Sequence, residues 1–203
     1  MLPDTFKHKG LRKQMIDQLK QAGSFQATVL EVMNEVPRHW FLESAFLDFA
    51  YGDKPFPNRA YFGILSSLEV AKILNVLNIQ PYQKILEIGI GTGYNTVLMH
   101  TLKGNVYALE NDKLCFENAV KLFKQLNKKI KLFFSRDIYK GLEENGPFDH
   151  IVLLGPLEVV PTNLKSQMAI GGKLIFRLKE ENTIKLMLMQ RLSEDEYSSE
   201  EIE

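Results

Sequence analysis

Residues 84–96 read KILEIGIGTGYNT, and the rest of the chain is organised around them. An apolar run, Ile85-Leu86-Glu87-Ile88, leads directly into Gly89-Ile90-Gly91-Thr92-Gly93, and a helical pattern opens at Tyr94. Strand, glycine turn and helix in this order build a ligand site at the carboxyl edge of an open α/β sheet. Glycine permits the tight turn and a close approach to the main chain. The new helix presents unpaired N–H groups at its start. The spacing narrows the ligand. A dinucleotide fingerprint, G-x-G-x-x-G/A, needs a small residue at its last position. Counted from Gly89 and Gly91, that position is Tyr94, which is far too large.

What stands here instead is E-x-G-x-G-x-G, residues 87–93. This pattern resembles motif I of the S-adenosylmethionine-dependent methyltransferases. The resemblance implies that Glu87, Gly89, Gly91 and Gly93 border a ligand with a cationic sulfonium and no phosphate, which suits an acid beside the turn. A second apolar run, residues 105–110, ends in Glu110, 21 residues after Gly89. A Rossmann-type site puts the acid that binds the two ribose hydroxyls about there. The alternative is a plain βαβ unit with a Gly-rich turn and a strand-end Glu on the surface. Agreement of turn, acid and spacing favours the cofactor site.

Composition bounds the rest. The chain has 203 residues, enough for one sizeable core. Lys plus Arg and Asp plus Glu each number 25, for a formal charge of zero. That argues against a partner held by bulk electrostatics, such as nucleic acid or an anionic membrane. The single cysteine, Cys115, allows no intramolecular disulfide, and a cytoplasmic, reducing compartment is the expectation. No apolar run approaches the ~20 residues of a membrane span, and the start, MLPDTFKHKG, has no apolar h-region, so absence of export is the expectation.

Periodicity predicts helices over residues 11–23 and 27–36, the second ended by Pro37. Residues 51–61, with Pro55 and Pro57, read as a loop packed over something. Ser66 and Glu69 match a capping box that opens the next helix. After the glycine turn come a helix ending by Gly104, a strand at 105–110, an amphipathic helix at 113–126 and strands at 130–135 and 148–154. A short helix over 161–168 is broken by Gly171-Gly172, and strands at 173–178 and 184–192 follow, the last one reversed at the sheet edge. Such alternation calls for a mainly parallel sheet with helices on both faces. The economical division is one domain over 1–203. It comprises an N-terminal helical extension with a substrate loop (1–65), a cofactor-binding core (66–192) and an acidic tail (193–203). The tail holds six acids and no base, and is expected to be solvated and mobile.

Several segments together resemble the protein-L-isoaspartate O-methyltransferases. They are Arg12 with Met15 and Leu19, Val36-Pro37-Arg38-His39 with Phe41, and Ala50-Tyr51 with Asp53 and Pro57. The glycine turn, Pro147-Phe148-Asp149 with Ile151, and Leu164 through Gly171-Gly172 complete the set, in order and spacing over residues 11–192. The resemblance implies a Rossmann-like methyltransferase fold, S-adenosylmethionine as cofactor, and a monomer acting on damaged protein or peptide substrates. The reaction implied is methylation of the abnormal α-carboxylate of an isoaspartyl residue, which is protein repair.

The chain departs from that family at instructive places. The family's Q-T-I-S-[QA]-P reads Phe62-Gly63-Ile64-Leu65-Ser66-Ser67, so the serine position is Leu65. Ser66, one residue late, has two readings: a helix cap, or the catalytic substitute for that serine. The family's G-D-G beside the adenine reads Arg136-Asp137-Ile138, which keeps the acid as a cofactor contact. The family's I-P-V-G after the fifth core strand reads Phe176-Arg177-Leu178-Lys179, so Arg177 is new, as a partner for a substrate carboxylate or as a strand-end surface charge. The family's final V-x-F-V-P-L strand has no counterpart in the sequence pattern.

No metal-ligand spacing is visible; His39 and His150 lie far from each other and from Cys115. Cys115 reads as a packed thiol, and Trp40 and Phe41 as core cover. Three functions stay open: isoaspartyl carboxyl methylation, methyl transfer to another acceptor, and non-catalytic S-adenosylmethionine binding.

Overall fold

The structure is a computed structural model that describes residues 2–52, 64–181 and 183–202. Most of the proline-rich loop, including Asp53, Pro57 and Phe62-Gly63, lies outside the described residues. The chain opens with α1 (Phe6–Ala22) and α2 (Ala27–Glu35), then two 3-10 turns, Arg38–Phe41 and Ser44–Phe49. The alternating part follows as α3 (Ser67–Leu77), β1 (Lys84–Ile88), α4 (Tyr94–Thr101), β2 (Asn105–Glu110), α5 (Lys113–Gln125) and β3 (Lys131–Phe134). It ends with β4 (Phe148–Leu157), α6 (Thr162–Ser166), β5 (Met168–Glu180), β6 (Thr183–Arg191) and β7 (Tyr197–Glu201).

The strands form one seven-stranded sheet in the order β3-β2-β1-β4-β5-β6-β7. Neighbours from β3 to β5 run parallel, and β6 and β7 are added antiparallel. Alternation along the strands divides the core in two. Ile85, Val106, Ala108, Val152 and Ile175 meet buried residues of α1 to α5 on one face. Leu86, Ile88, Leu109, Leu153 and Phe176 meet Leu164 of α6 on the other, with Ile138 and Leu142 packed alongside. Strand order reverses at β1, so β2 and β4 flank it and a crevice opens beyond their carboxyl ends.

Four expectations change. First, α1 begins at Phe6, not residue 11, because the Thr5 hydroxyl accepts from the His8 N–H and the His8 ring accepts from the Thr5 N–H, a capping box. Second, Gly171-Gly172 do not break a helix. They lie inside β5, where the ladder to β4 shifts register between the Phe148–Met168 and His150–Lys173 pairs. A Cβ on Gly172 would stand 2.8 Å from the Ala169 carbonyl oxygen. Third, the acidic tail is not simply solvated. Tyr197–Glu201 pair with β6, and Lys185 lies 2.8 Å from Glu180 and 3.8 Å from Glu201 across that edge. Fourth, β7 rather than β6 is therefore the edge strand. Its acids suit the place, since charge on an edge discourages further pairing.

Candidate active site

The glycine turn sits where strand order reverses. Gly89, Gly91 and Gly93 have φ of 83°, 54° and 81°, a region that side chains rarely adopt. Two of them also leave room: a Cβ on Gly89 or Gly91 would meet nothing within 4 Å among the described residues. Gly93 differs, because a Cβ there would come within 2.9 Å of the Phe123 ring on α5. It opens α4 with no side-chain cap.

Glu110 closes β2 and is 4% exposed. One carboxylate oxygen accepts the N–H of Ile90 at 2.8 Å and of Gly91 at 3.2 Å. The other accepts from Asn111 at 2.8 Å and Asp112 at 3.0 Å. The acid that the sequence assigns to a ligand thus also braces the turn. Glu87, one residue before the carboxyl end of β1, is 1% exposed, and its Oε2 has no hydrogen-bond partner among the described residues. Burial pushes its pKa up to about 8; the nearby Thr96 hydroxyl pulls downward, and the charge of Glu110 adds to the rise. Thr96 Oγ1 is itself buried without a partner of good geometry.

The second wall comes from the N-terminal region. A cavity of about 10 Å³, room for one water, is lined by Arg38, Phe41, Leu65, Thr92, Tyr94 and Asn95 among others. Phe41 meets the Tyr94 ring edge to face at 5.3 Å, so it lines the cavity as well as the core. Leu65 is buried, and its carbonyl accepts from Arg38 Nη2. Ser66 is the N-cap of α3: its hydroxyl accepts from Glu69 N–H at 3.1 Å while its own N–H donates to Glu69 Oε2 at 2.8 Å. The capping role is therefore realised, and it leaves the serine beside the cleft wall rather than inside it.

Two candidates stand further out. Asp137 is exposed beyond β3 and lies 3.8 Å from Lys140. Arg177 is half-buried on the carboxyl half of β5, opposite Pro156 of β4.

Arg38 is the residue that motif spacing alone does not reveal as structural. It is 2% exposed, donates to Ser67 Oγ at 2.7 Å as well as to Leu65, and lies over the Tyr94 ring at 5.4 Å. Its neighbour His39 is fully buried, with Nδ1 2.7 Å from the Tyr51 hydroxyl. Arg12 donates to both Asp4 oxygens, at 3.0 and 2.9 Å, and to Tyr51 at 3.2 Å. Asp4, His8 and His39 come within 4.8 Å of one another, a grouping invisible in their spacing. The two rings stack at 3.9 Å, however, and Asp4 is forked onto Arg12, so their lone pairs do not aim at one point. His150 is buried, bonded to Gln83 at 2.9 Å, and burial lowers its pKa to about 4. Cys115 is half-buried; burial, then Glu110 and Asp112, raise the thiol to about 11, so it is not a thiolate near neutrality.

Comparison with known proteins agrees with this geometry. The profile of the protein-L-isoaspartate(D-aspartate) O-methyltransferase family matches residues 10–203. A protein-L-isoaspartate O-methyltransferase of Flavobacterium johnsoniae is 38% identical over 190 residues, covering 94% of this chain and 89% of the relative. One from Cytophaga hutchinsonii is 35% identical over 200 residues, covering 98% and 90%. A Plasmodium falciparum isoaspartate methyltransferase crystallised with S-adenosyl-L-homocysteine superposes with a TM-score of 0.78 at 22% identity, over 94% of this chain and 93% of that one, and so shares the fold. Among the described residues no helix is long and apolar enough to cross a membrane. Since the match runs through the V-P-R-H segment, the glycine turn and the terminal strand alike, the chain belongs to the protein-L-isoaspartate (D-aspartate) O-methyltransferase family.

Proposed function

We propose that this protein methylates the free α-carboxylate of L-isoaspartyl residues in damaged proteins or peptides, with S-adenosylmethionine as donor. The observation that carries this reading is the open glycine turn braced by Glu110, facing a wall built from the V-P-R-H segment. The residues suit the donor. Space over Gly89 and Gly91 admits a ligand to the main chain, and the unpartnered Oε2 of Glu87 suits a nearby cation. Glu110 is assigned to the ribose hydroxyls, and Asp137 to the adenine amino group.

When bound, the donor supplies an electron-poor methyl carbon that a carboxylate attacks directly. A carboxylate with an ordinary pKa of about 4 is already ionised at pH 7, so the chain needs no strong base. Its task is to align and desolvate. Alignment alone can supply about 7–11 kcal/mol. Phe41, Leu65 and Tyr94 supply the apolar part of a small cavity whose polar part is Arg38, Thr92 and Asn95, and shielding from bulk solvent there strengthens charge interactions. Main-chain groups at Leu65, and the hydroxyl of Ser66 if released from its cap, are the groups left to do the work of the family serine.

One observation favours a second reading, a methyltransferase with another acceptor: the buried, apolar Leu65 at the serine position. Labelled donor separates the two. Base-labile label on an isoaspartyl peptide, and none on the normal aspartyl peptide, supports repair. Donor binding without transfer to either peptide would replace it with the second reading or with non-catalytic binding.

A further inference from the structure

We propose that Arg38 is a positioning residue for methyl transfer, clamping the chain ahead of α3 onto the ring that opens α4. The proposal rests on the isoaspartyl reading above.

A guanidinium buried to 2% exposure is expensive unless its donors are spent. Among the described residues, Arg38 donates to two groups of one short segment, the Leu65 carbonyl and Ser67 Oγ. Its guanidinium carbon lies 5.4 Å over the ring of Tyr94, the first residue of α4 and the immediate neighbour of Gly93. Tyr94 also meets Phe41 edge to face at 5.3 Å, and Phe41 comes from the same 3-10 turn as Arg38. One side chain therefore joins the segment bearing the altered serine position to the helix that the cofactor turn feeds. Ser66, the helix cap, lies between the two clamped residues. The clamp and the capping box together hold the main chain at Leu65–Ser67 against the cavity that Thr92 and Asn95 share. With leucine at the serine position, the placement of this main chain matters more for the acceptor.

Lysine cannot do this work. It offers a point charge on a flexible stem, whereas arginine's rigid fork spans two acceptors and stacks on a ring. Arg38→Lys and Arg38→Gln are compared with wild type in steady-state transfer to an isoaspartyl peptide, in calorimetric binding of S-adenosylhomocysteine, and in thermal unfolding. The expected result for Arg38→Lys is a fall in kcat of about tenfold to a hundredfold, the penalty of small misplacement. Product affinity should stay within about threefold. Ser67→Ala, which removes one acceptor and keeps the charge, should shift kcat in the same direction by a smaller factor, and it serves if the Arg38 variants do not fold. A folded Arg38→Lys enzyme with unchanged kcat, or unchanged kcat in Ser67→Ala, overturns the proposal. So does a loss of product binding that parallels the loss of rate, which would mean general collapse of the turn. A wild-type protein that binds S-adenosylhomocysteine yet leaves the isoaspartyl peptide unmethylated fails the parent reading first, before any variant is compared.

Discussion

Glu110 Oε2 accepts the main-chain N–H of Ile90 at 2.8 Å, so the carboxylate that ends β2 also holds the turn that ends β1. Four amide donors converge on this one side chain. Glu110→Ala removes the acceptor of all four and leaves the buried Ile90 amide unsatisfied. We expect a loss of about 2–4 kcal/mol in denaturant unfolding together with a large fall in S-adenosylhomocysteine affinity. Glu110→Gln keeps one acceptor oxygen and should recover part of the stability. An alanine variant of normal stability would show that the brace carries no weight.

Glu87 gives the free protein a pH dependence. Burial raises its pKa to about 8, against about 4 in an unfolded chain. Between those values the native state holds a proton that the unfolded state lacks. Stability therefore falls as pH rises from about 4 to about 8, and levels off above. Glu87→Gln should flatten that slope. A cationic donor favours the ionised acid, so at pH 7 binding should release protons. Calorimetry in two buffers of different ionisation enthalpy reads the release, and Glu87→Gln should abolish it.

The turn glycines should separate two costs. Gly89→Ala and Gly93→Ala both place a side chain at positive φ, worth about 1–2 kcal/mol. Gly93→Ala adds a clash with Phe123, so its denaturation midpoint should be the lower of the two. Gly89→Ala fills open space instead, and should lose more donor affinity than stability. Reversal of that order in unfolding and binding measurements would contradict the division.

Leu65→Ser restores the family residue at a buried site. Loss of the apolar side chain should cost about 2–4 kcal/mol. Transfer to isoaspartyl peptide should nevertheless rise if the segment keeps the family register. A variant that is folded but no faster would place the family serine elsewhere in this chain.

Deleting residues 193–203 tests the terminal strand. β7 covers the edge of β6, and Ile202 packs against the core. Truncation should lower stability by about 2 kcal/mol, a few net hydrogen bonds, and light scattering should detect association through the bared edge. A mobile tail would leave both unchanged.

The glycine turn, Glu110, the Ser66–Glu69 cap and the alternation of strand and helix were legible from residue order. Each is a local pattern whose physics acts within a few residues or at a set spacing. Periodicity missed what long-range pairing decides. The acids of residues 193–203 look solvated by composition, but an edge strand pairs through its main chain and tolerates them outside. Gly171-Gly172 look like a helix stop, but they lie in β5 where its register against β4 shifts, with Gly172 packed close to the β4 main chain. Arg38, His39 and Arg12 stood in quoted motifs without a role, because their partners at Leu65, Ser67 and Tyr51 belong to other segments and Asp4, eight residues from Arg12, lies outside the motif. Residue order thus determined the fold class and the cofactor turn. Only the tertiary structure decided which buried charges hold the walls of the cleft, because a charge is retained in an apolar interior only when partners from elsewhere in the chain are folded against it.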